Sequence, residues 1–509
     1  MVAKVFSAAA IGVEAIPVEI EAHTGRGNFV VVVVGLPDTA VKESRDRVKT
    51  ALQNSGMRFP DGRVTINLAP ADIKKEGPSF ELPIALAILI ASQQLHWLDA
   101  KQYWVTGELA LDGSIRPVRG VLAMALEARQ RGMRGIVVPQ ANTAEAAVVE
   151  GLEVIGVGSL SQCIAWIDGR EKIRPLNLNI NELLAREQSQ DVGDFSEVQG
   201  QFAVKRVMEI AAAGGHNILL VGPPGSGKSM LAQRLPSILP PLTREEALET
   251  TKIHSIAGLI PPGKSLVLRR PFRCPHHTVS DVGLVGGGTT PTPGEVSLAH
   301  NGILFLDELP EFRRSALEAL RQPLEDGRIT VSRANGTLTF PARFMLVAAM
   351  NPTPDGKMPG ESRCSPQEIR RYLNRISGPL LDRIDMHIEV PAMKISDLHR
   401  NQPTEPSANI RRRVLAARAI QQERFQGEPR LSCNAHMTAK DIRRWCTIPE
   451  HLRQLFIRAA QDLQLSARAH DRVLKISRTI ADLEGSETIR EEHLMEALQY
   501  RMLDRQLWA

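Results

Sequence analysis

Four residues at fixed spacing carry the clearest chemistry in this chain. Gly222, Gly227, Lys228 and Ser229 fit the pattern G-x-x-x-x-G-K-[ST] within Gly222-Pro223-Pro224-Gly225-Ser226-Gly227-Lys228-Ser229. Glycines let successive backbone N–H groups turn into one concavity, and a helix beginning there adds its own free N–H groups, so such a stretch holds phosphate oxygens. Lys228 adds a mobile positive charge for the outer phosphates, and the Ser229 hydroxyl can ligate magnesium. A second cluster, Asp307-Glu308, follows the apolar run Ile303-Leu304-Phe305-Leu306. There Asp307 would hold the metal, directly or through water, and Glu308 would polarise an attacking water. A tight turn that binds nothing is the rival reading of the glycine stretch alone. The acidic pair downstream favours ATP with Mg2+, and hydrolysis, over that rival.

These groups need a sheet to present them. Residues 218–221 read as a buried strand leading into the glycine turn, and residues 303–306 as another with its carboxylates at the C-terminal end, where ligands of an α/β sheet collect. A third strand, 344–349, runs into Asn351. Between them, 328–333 and 337–340 alternate as a hairpin joined through Ala334-Asn335-Gly336, because Asn-Gly accepts the φ > 0 positions of a tight turn. Arg333 beside its tip is a candidate phosphate contact. Beyond a proline-rich polar stretch at 401–407, helices with apolar stripes are expected over 408–425, 449–463, 467–483 and 491–503. The first carries Arg411, Arg412 and Arg413, either a solvated face or a basic stripe for DNA. Toward the N-terminus, strand signals at 28–35, 64–68, 104–109 and 135–139 alternate with helix signals at 38–55, 82–94 and 120–131, which predicts a separate α/β domain.

At 509 residues the chain exceeds a single core and is expected to form about three domains. Its 43% hydrophobic and 23% charged content is that of a globular protein, and only 4% is aromatic, which argues against stacked aromatic platforms. A net charge of +5 permits an acidic partner without requiring one. Five scattered cysteines suggest free thiols in a reducing compartment. The first ten residues lack a signal-peptide core, and the longest apolar run, 29–36, is too short to span a bilayer. A cytoplasmic protein without a membrane partner is the expectation.

The segment 195–201, ahead of a helix at 202–213 and the glycine-loop strand, resembles the adenine-cupping segment of AAA+ ATPases. That resemblance implies roles for further residues. Asn351 falls at the sensor 1 position. Arg383, in Gly378-Pro379-Leu380-Leu381-Asp382-Arg383-Ile384-Asp385, falls where the arginine finger reaches into a neighbouring subunit, unless it pairs locally with Asp382 or Asp385. Arg468, in Ser466-Ala467-Arg468-Ala469, matches sensor 2, with Arg472 the runner-up. The hairpin resembles the one that projects into the central channel in the pre-sensor 1 group.

In the N-terminal part, Lys74-Lys75-Glu76-Gly77-Pro78-Ser79 resembles the nucleophile segment of Lon-type proteases, a module also similar to the C-terminal domain of RadA-type repair ATPases. The catalytic lysine positions hold Leu122 and Met124, and a serine without a base is a poor nucleophile. Ser79 is therefore read as a cap for the helix that follows it.

Val34-Gly35-Leu36-Pro37, Asn67-Leu68-Ala69-Pro70-Ala71-Asp72, Gly215-His216-Asn217, Pro275-His276-His277 and Leu309-Pro310-Glu311-Phe312 lie outside the generic motifs. On these the chain is similar, over almost its full length, to the ComM (YifB) branch of the magnesium-chelatase-like AAA+ ATPases. The fold this implies is α/β: a Lon-like (ribosomal S5 domain 2-like) domain at 1–175 without a Ser-Lys dyad, a polar linker at 176–194 with room for one short helix, an AAA+ core at 195–400 and a helical lid at 401–509. It also implies a homo-oligomeric ring, expected as a hexamer, that uses ATP and Mg2+ to migrate branches of single-stranded or branched DNA during natural transformation. A chelatase motor subunit and a nucleotide-gated scaffold without translocation are the rivals. One departure stands out. Many members carry a cysteine cluster after the sensor 1 asparagine, whereas residues 351–356 have none and Cys364 stands alone, so no structural zinc is expected there. The interval 229–303 exceeds a minimal core, and its glycine and proline content reads as a mobile loop facing the pore; for His276 and His277 beside Cys274 a metal site is the rival of a hydrogen-bonded structural role, which the lack of further clustered ligands favours.

Overall fold

A computed structural model describes residues 2–75, 77–187, 193–288, 291–333, 336–392, 404–428, 430–463, 465–503 and 507. The chain divides into two compact units: Met1–Glu187 with Thr243–Leu268, and Gln188–Leu242 with Arg269–Ala509.

The first unit is built on a seven-stranded sheet. It opens with a hairpin outside the strands predicted above, β1 (Val2–Ile11) and β2 (Glu14–Gly25), paired from Val2↔His23 to Ile11↔Glu14. Gly12, at φ 61, makes the two-residue turn, and that glycine is the signal in the sequence that marks it. The remaining strands are β3 (Val30–Val34), β4 (Arg63–Ala69), β5 (Tyr103–Val105), β6 (Gly135–Pro139) and β7 (Glu153–Val157), in the order β3-β4-β2-β1-β5-β6-β7. Helices α1 (Thr39–Asn54), α2 (Glu81–Ala91) and α3 (Val121–Gln130) cover it. Asp38 caps α1 by accepting from the Val41 N–H at 2.7 Å.

Three expectations are corrected in this unit. The strand over 104–109 breaks at Thr106-Gly107, because the Gly107 N–H leaves the ladder to donate to the Ser79 carbonyl at 3.0 Å. Ser79 is not a helix cap; it sits within the 3-10 turn Pro78–Phe80, and Phe80 occupies the α2 cap position. Within 176–194, the short helix allowed for is Ile180–Glu187, and it packs onto the unit, with Ile180 buried beside partly buried Leu178, Leu183 and Leu184. Finally, Thr243–Leu268 is no free loop. The helix Arg244–Ile256 starts at a Thr243–Glu246 capping box, and Ser255 donates to the buried Glu145 at 2.5 Å while accepting from the Gly120 N–H at 3.0 Å. Leu122 and Met124, where a Lon-type lysine would stand, lie in the apolar core.

The second unit holds a five-stranded parallel sheet. In chain order come α4 (Phe202–Gly214), β8 (Ile218–Val221), α5 (Lys228–Arg234), β9 (Phe272–Arg273), β10 (Ile303–Leu306), the hairpin β11 (Arg328–Arg333) and β12 (Gly336–Pro341), β13 (Met345–Met350) and β14 (Met386–Glu389). The sheet order is β9-β10-β13-β8-β14. Every residue of β8, β10 and β13 is buried, as parallel strands covered on both faces require. Helices α6 (Ser407–Arg424), α7 (Glu450–Asp462), α8 (Ala467–Leu483) and α9 (Glu491–Gln499) follow. Val414, Val473, Ile476, Ile480 and Leu494 join Val207, Ile210, Ile218 and Leu220 in one core, so the lid is packed as part of this unit. Among the described residues no helix is long and apolar enough to cross a membrane.

Candidate nucleotide site

Register assembles the site. Val221 pairs with Met350 and Leu306 with Ala348 in parallel, so Gly222, Asp307 and Asn351 emerge from neighbouring strands at the sheet's C-terminal edge. Gly225 and Gly227 hold φ +77 and +90, and a Cβ on either meets nothing within 4 Å, so this loop curls around open space. Lys228 is 8% exposed and folds back on the loop, its Nζ donating to the carbonyls of Gly222 at 2.6 Å and Pro223 at 2.8 Å and to Asn351 Oδ1 at 3.3 Å. Burial pulls the Lys228 pKa below the ordinary lysine value, against the opposing pull of Asp307 and Glu308. Ser229 Oγ donates to Asp307 Oδ2 at 2.6 Å.

These residues fit the groups expected of them. Ser226 Oγ is buried with no hydrogen-bond partner among the described residues, a hydroxyl that a ligand oxygen can satisfy. The Ser229 hydroxyl and Asp307 carboxylate are adjacent hard oxygen donors, the set that Mg2+ takes. Glu308, at φ 53, turns its N–H onto Asp307 Oδ1 at 3.0 Å and lines a cavity of about 470 Å³ with Asn351, Glu368, Arg371, Tyr372 and Arg375. Tyr372 steadies Asn351 by donating to its carbonyl at 3.2 Å. His276 bonds within its own turn, and His277 Nδ1 lies 3.3 Å from Glu308 Oε2.

Arg383, Arg468 and Arg472 gather at the other end of the sheet. β14 joins β8 at Ile218↔Met386, which puts Asp385 level with Asn217 at the N-terminal ends of both strands. The length of β8, roughly 13 Å at about 3.3 Å per residue, separates that level from Gly222. The three arginines line a cavity of about 620 Å³ with Glu325, Asp385 and Lys475. The partner of Arg383 is neither Asp382 nor Asp385. Its Nη2 pairs with Glu325, its Nη1 donates to the Pro379 carbonyl at 2.7 Å, and the side chain is 11% exposed. Arg468 reaches the same Glu325 at 3.7 Å. Arg383, then the Arg468 and Arg472 charges, hold the Glu325 carboxyl below its ordinary range.

Arg472 is occupied elsewhere, its Nε 3.3 Å from Asp385 Oδ1. Burial would raise the Asp385 carboxyl, but Arg472 and His216 outweigh it and hold the group far below the usual carboxylate range. Asn217 ties the ends of three strands together. Its N–H donates to Asp385 Oδ2 at 2.8 Å, its Nδ2 to the Arg383 carbonyl at 3.2 Å, and its Oδ1 accepts from the Leu346 N–H at 2.8 Å. Gly215-His216-Asn217 is thus the bracket that places the Arg383 turn. Sequence reasoning missed this role, as it missed Glu325 and Tyr372, and it named Asp385 only as a local partner for Arg383. Asn217 at the mouth of a predicted strand was a usable signal, whereas Glu325 had none.

The DNA candidates fare differently. Arg333 ends β11 opposite Gly336 at the hairpin tip, and its side chain lies outside the described residues. Arg412 is exposed and donates to Asn409 Oδ1 at 2.5 Å, while Arg411 is half-buried. Arg413 is committed to Glu209 and Glu405 and leaves the basic stripe.

With the phosphate loop, the acidic strand end and the lid helices sharing one core, the second unit is a AAA+ P-loop fold. The family described as magnesium chelatase, subunit ChlI, matches residues 194–398, with subunit ChlI of Mg-chelatase at 20–142 and the ChlI C-terminal family at 404–501. Competence protein ComM of Haemophilus influenzae is 46% identical over 509 residues, 99% of this chain and 98% of that one. YifB of Salmonella typhimurium, an uncharacterized protein, is 45% identical over 506 residues, 99% and 97% of the two chains. The chain belongs to the ComM (YifB) branch of the magnesium-chelatase-like AAA+ ATPases.

Proposed function

We propose that this chain hydrolyses ATP in a homo-oligomeric ring, a hexamer, with each active site shared by two copies. The cycle drives the ring along DNA in branch migration during natural transformation. The observation that carries the ring is the placement of Arg383 and Arg468 on Glu325, at the sheet end opposite Lys228. Arginines so placed are out of reach of their own phosphate loop and serve a neighbour's. In this reading Lys228 leaves the Gly222 and Pro223 carbonyls for the outer phosphates, and Ser226 with the loop N–H groups takes the others. Ser229 and Asp307 hold Mg2+, which when bound neutralises charge on the phosphates. Glu308 polarises the attacking water and Asn351 orients it. The neighbour's Arg383, released from Glu325, neutralises charge on the transferring group. Arg472 is held by Asp385, which leaves the more exposed Arg468 as the lid arginine that can follow it.

DNA as the polymer is supported by Arg333 at the hairpin tip, by Arg411 and Arg412 on α6, and by the name of the Haemophilus relative, a competence protein. The family descriptions support a second reading, a motor subunit for metal chelation, in which ATP turnover ignores DNA and answers to chelatase partners. Strand displacement on forked and four-way DNA, with Lys228→Ala and Glu308→Gln beside the unaltered protein, tests the motor. Displacement by the unaltered protein alone is expected. Identical behaviour of all three, or turnover unmoved by DNA, overturns the reading.

A further inference from the structure

A strand apolar on both faces belongs inside a sheet, and a strand at an edge is ordinarily protected from further pairing by lysine, proline or a bulge. β3 breaks that rule. It closes one end of the seven-stranded sheet with β4 as its strand partner, and among the described residues the backbone of Val30–Val34 meets no other segment on its free side. The run Phe29-Val30-Val31-Val32-Val33-Val34-Gly35-Leu36 carries no charge and no proline, and its pairing with β4 proceeds residue for residue without a bulge.

The neighbouring strands show what the solvent face of this sheet is made of. Register sets Val30 beside Arg63, Val32 beside Thr65 and Val34 beside Asn67, and β2 continues the row with His23 and Glu21. Asn67 donates to Glu21 at 2.9 Å across that face. On β3 the same row is valine throughout, with Val30 46% and Val34 42% exposed. Val31 and Val33 alternate to the other face and pack against the core that holds Val41, Val48 and Leu52 of α1. No residue of β3 is fully buried, so the strand has the composition of a central strand and the exposure of an outer one.

What completes this edge must be another strand, since only an extended backbone takes a row of free N–H and C=O groups in series. Symmetry and charge favour a second copy. A two-fold axis through Val32, perpendicular to the sheet, pairs two β3 strands antiparallel, Val30 with Val34 and Val31 with Val33, so core-facing valines meet core-facing ones and solvent-facing valines meet their like. Exposed Arg26 precedes the run and Asp38 follows it, so this direction sets unlike charges together at both ends. Parallel pairing about a two-fold axis turns one sheet over and sets the polar row of one copy level with the core face of the other.

We infer that β3 is the edge at which two copies of this chain join, antiparallel and centred on Val32, into one continuous sheet. The contact stands apart from the ATPase reading, because it uses the first unit alone and adds a two-fold to any assembly that the second unit forms.

Cysteine cross-linking and the mass of the full chain test it. Directly opposed Cα atoms of antiparallel strands lie about 4.5–5.5 Å apart, within the roughly 4.4–6.8 Å that a disulfide spans. Val32→Cys faces itself across the axis and is expected to give a covalent dimer on oxidation with diamide. Val30→Cys faces Val34 and lies roughly 14 Å along the strand from its own counterpart, so it is expected to cross-link about tenfold more slowly, and adding Val34→Cys should restore the dimer. The unaltered protein, whose exposed thiol is Cys274, is the background. Val32→Lys puts a charge on the edge and is expected to bring the mass in sedimentation velocity to about half that of the unaltered protein at equal concentration and nucleotide, with Tm within about 3 °C. If Val32→Lys lowers Tm further, the cysteine series decides alone. Equal masses in a folded Val32→Lys overturn the inference. So does cross-linking of Val30→Cys as fast as Val32→Cys, the mark of strands that collide without register, and so does the absence of any cross-link, which leaves the edge to an extended segment of a different protein.

Discussion

Gly222 shows how little room the phosphate loop leaves. A Cβ there would stand 2.2 Å from the Val390 carbonyl oxygen, a backbone atom that cannot swing aside. Gly222→Ala is expected to cost ~1–3 kcal/mol and to weaken nucleotide binding, read by urea unfolding and by titration with an ATP analogue. Asp385 gives a pH signature. Its folded pKa is depressed, chiefly because Arg472 and His216 outweigh burial, so the stabilisation is complete above the unfolded carboxylate value and is lost as pH falls through the folded one. Asp385→Asn leaves Arg472 buried without its anion and should cost ~3 kcal/mol at pH 7. The gap to the unaltered protein should narrow below pH ~4, which urea unfolding at the two pH values measures. Asp307 and Asn351 were legible because each follows directly on a strand that its own neighbours predict, and Lys228 and Ser229 because they close the glycine loop that leaves another such strand. Glu325 was not, since the pairing that matters lies 58 residues away on Arg383.

At the scale of elements, the hairpin β11–β12 and helix α6 are the parts proposed to meet DNA. A phosphate contact contributes to binding on any sequence and releases counterions. Arg333→Ala is expected to weaken duplex and single-strand binding alike, and to lower the slope of log K against log salt by about one, in fluorescence anisotropy at several salt concentrations. The hairpin could be read from Asn335-Gly336 because turn chemistry is local. The helix Arg244–Ile256 could not be placed that way. Its anchor, Ser255 on the buried Glu145, closes over 110 residues, and without it the same stretch reads as surplus loop. Ser255→Ala leaves Glu145 and the Gly120 N–H short of a partner and should destabilise the first unit by ~1–2 kcal/mol in thermal unfolding.

At the scale of the whole molecule, a shared active site makes a sharp prediction. Lys228→Ala and Arg383→Ala should each be inactive alone, yet mixed in equal amounts they should recover about a quarter of the unaltered ATPase, because random rings contain interfaces built from two intact halves. Activity that stays absent in the mixture, or survives in Arg383→Ala alone, would show that one copy suffices. The chain also passes from the second unit into the first and back between α5 and β9, at Thr243 and Leu268, a path no composition shift announces. The sequence by itself determined the phosphate loop, the acidic pair, the buried strands and the lid helices. Hydrophobic period, glycine spacing and turn chemistry act within a few residues, so they can be read in a line. Only the tertiary structure decided that Arg383 and Arg468 share Glu325 far from Lys228, that Asn217 brackets Asp385 across 168 residues, and that His277 meets Glu308. Those contacts exist because parallel strands from distant segments fall into one register, and the closure of such long loops leaves no trace in local spacing.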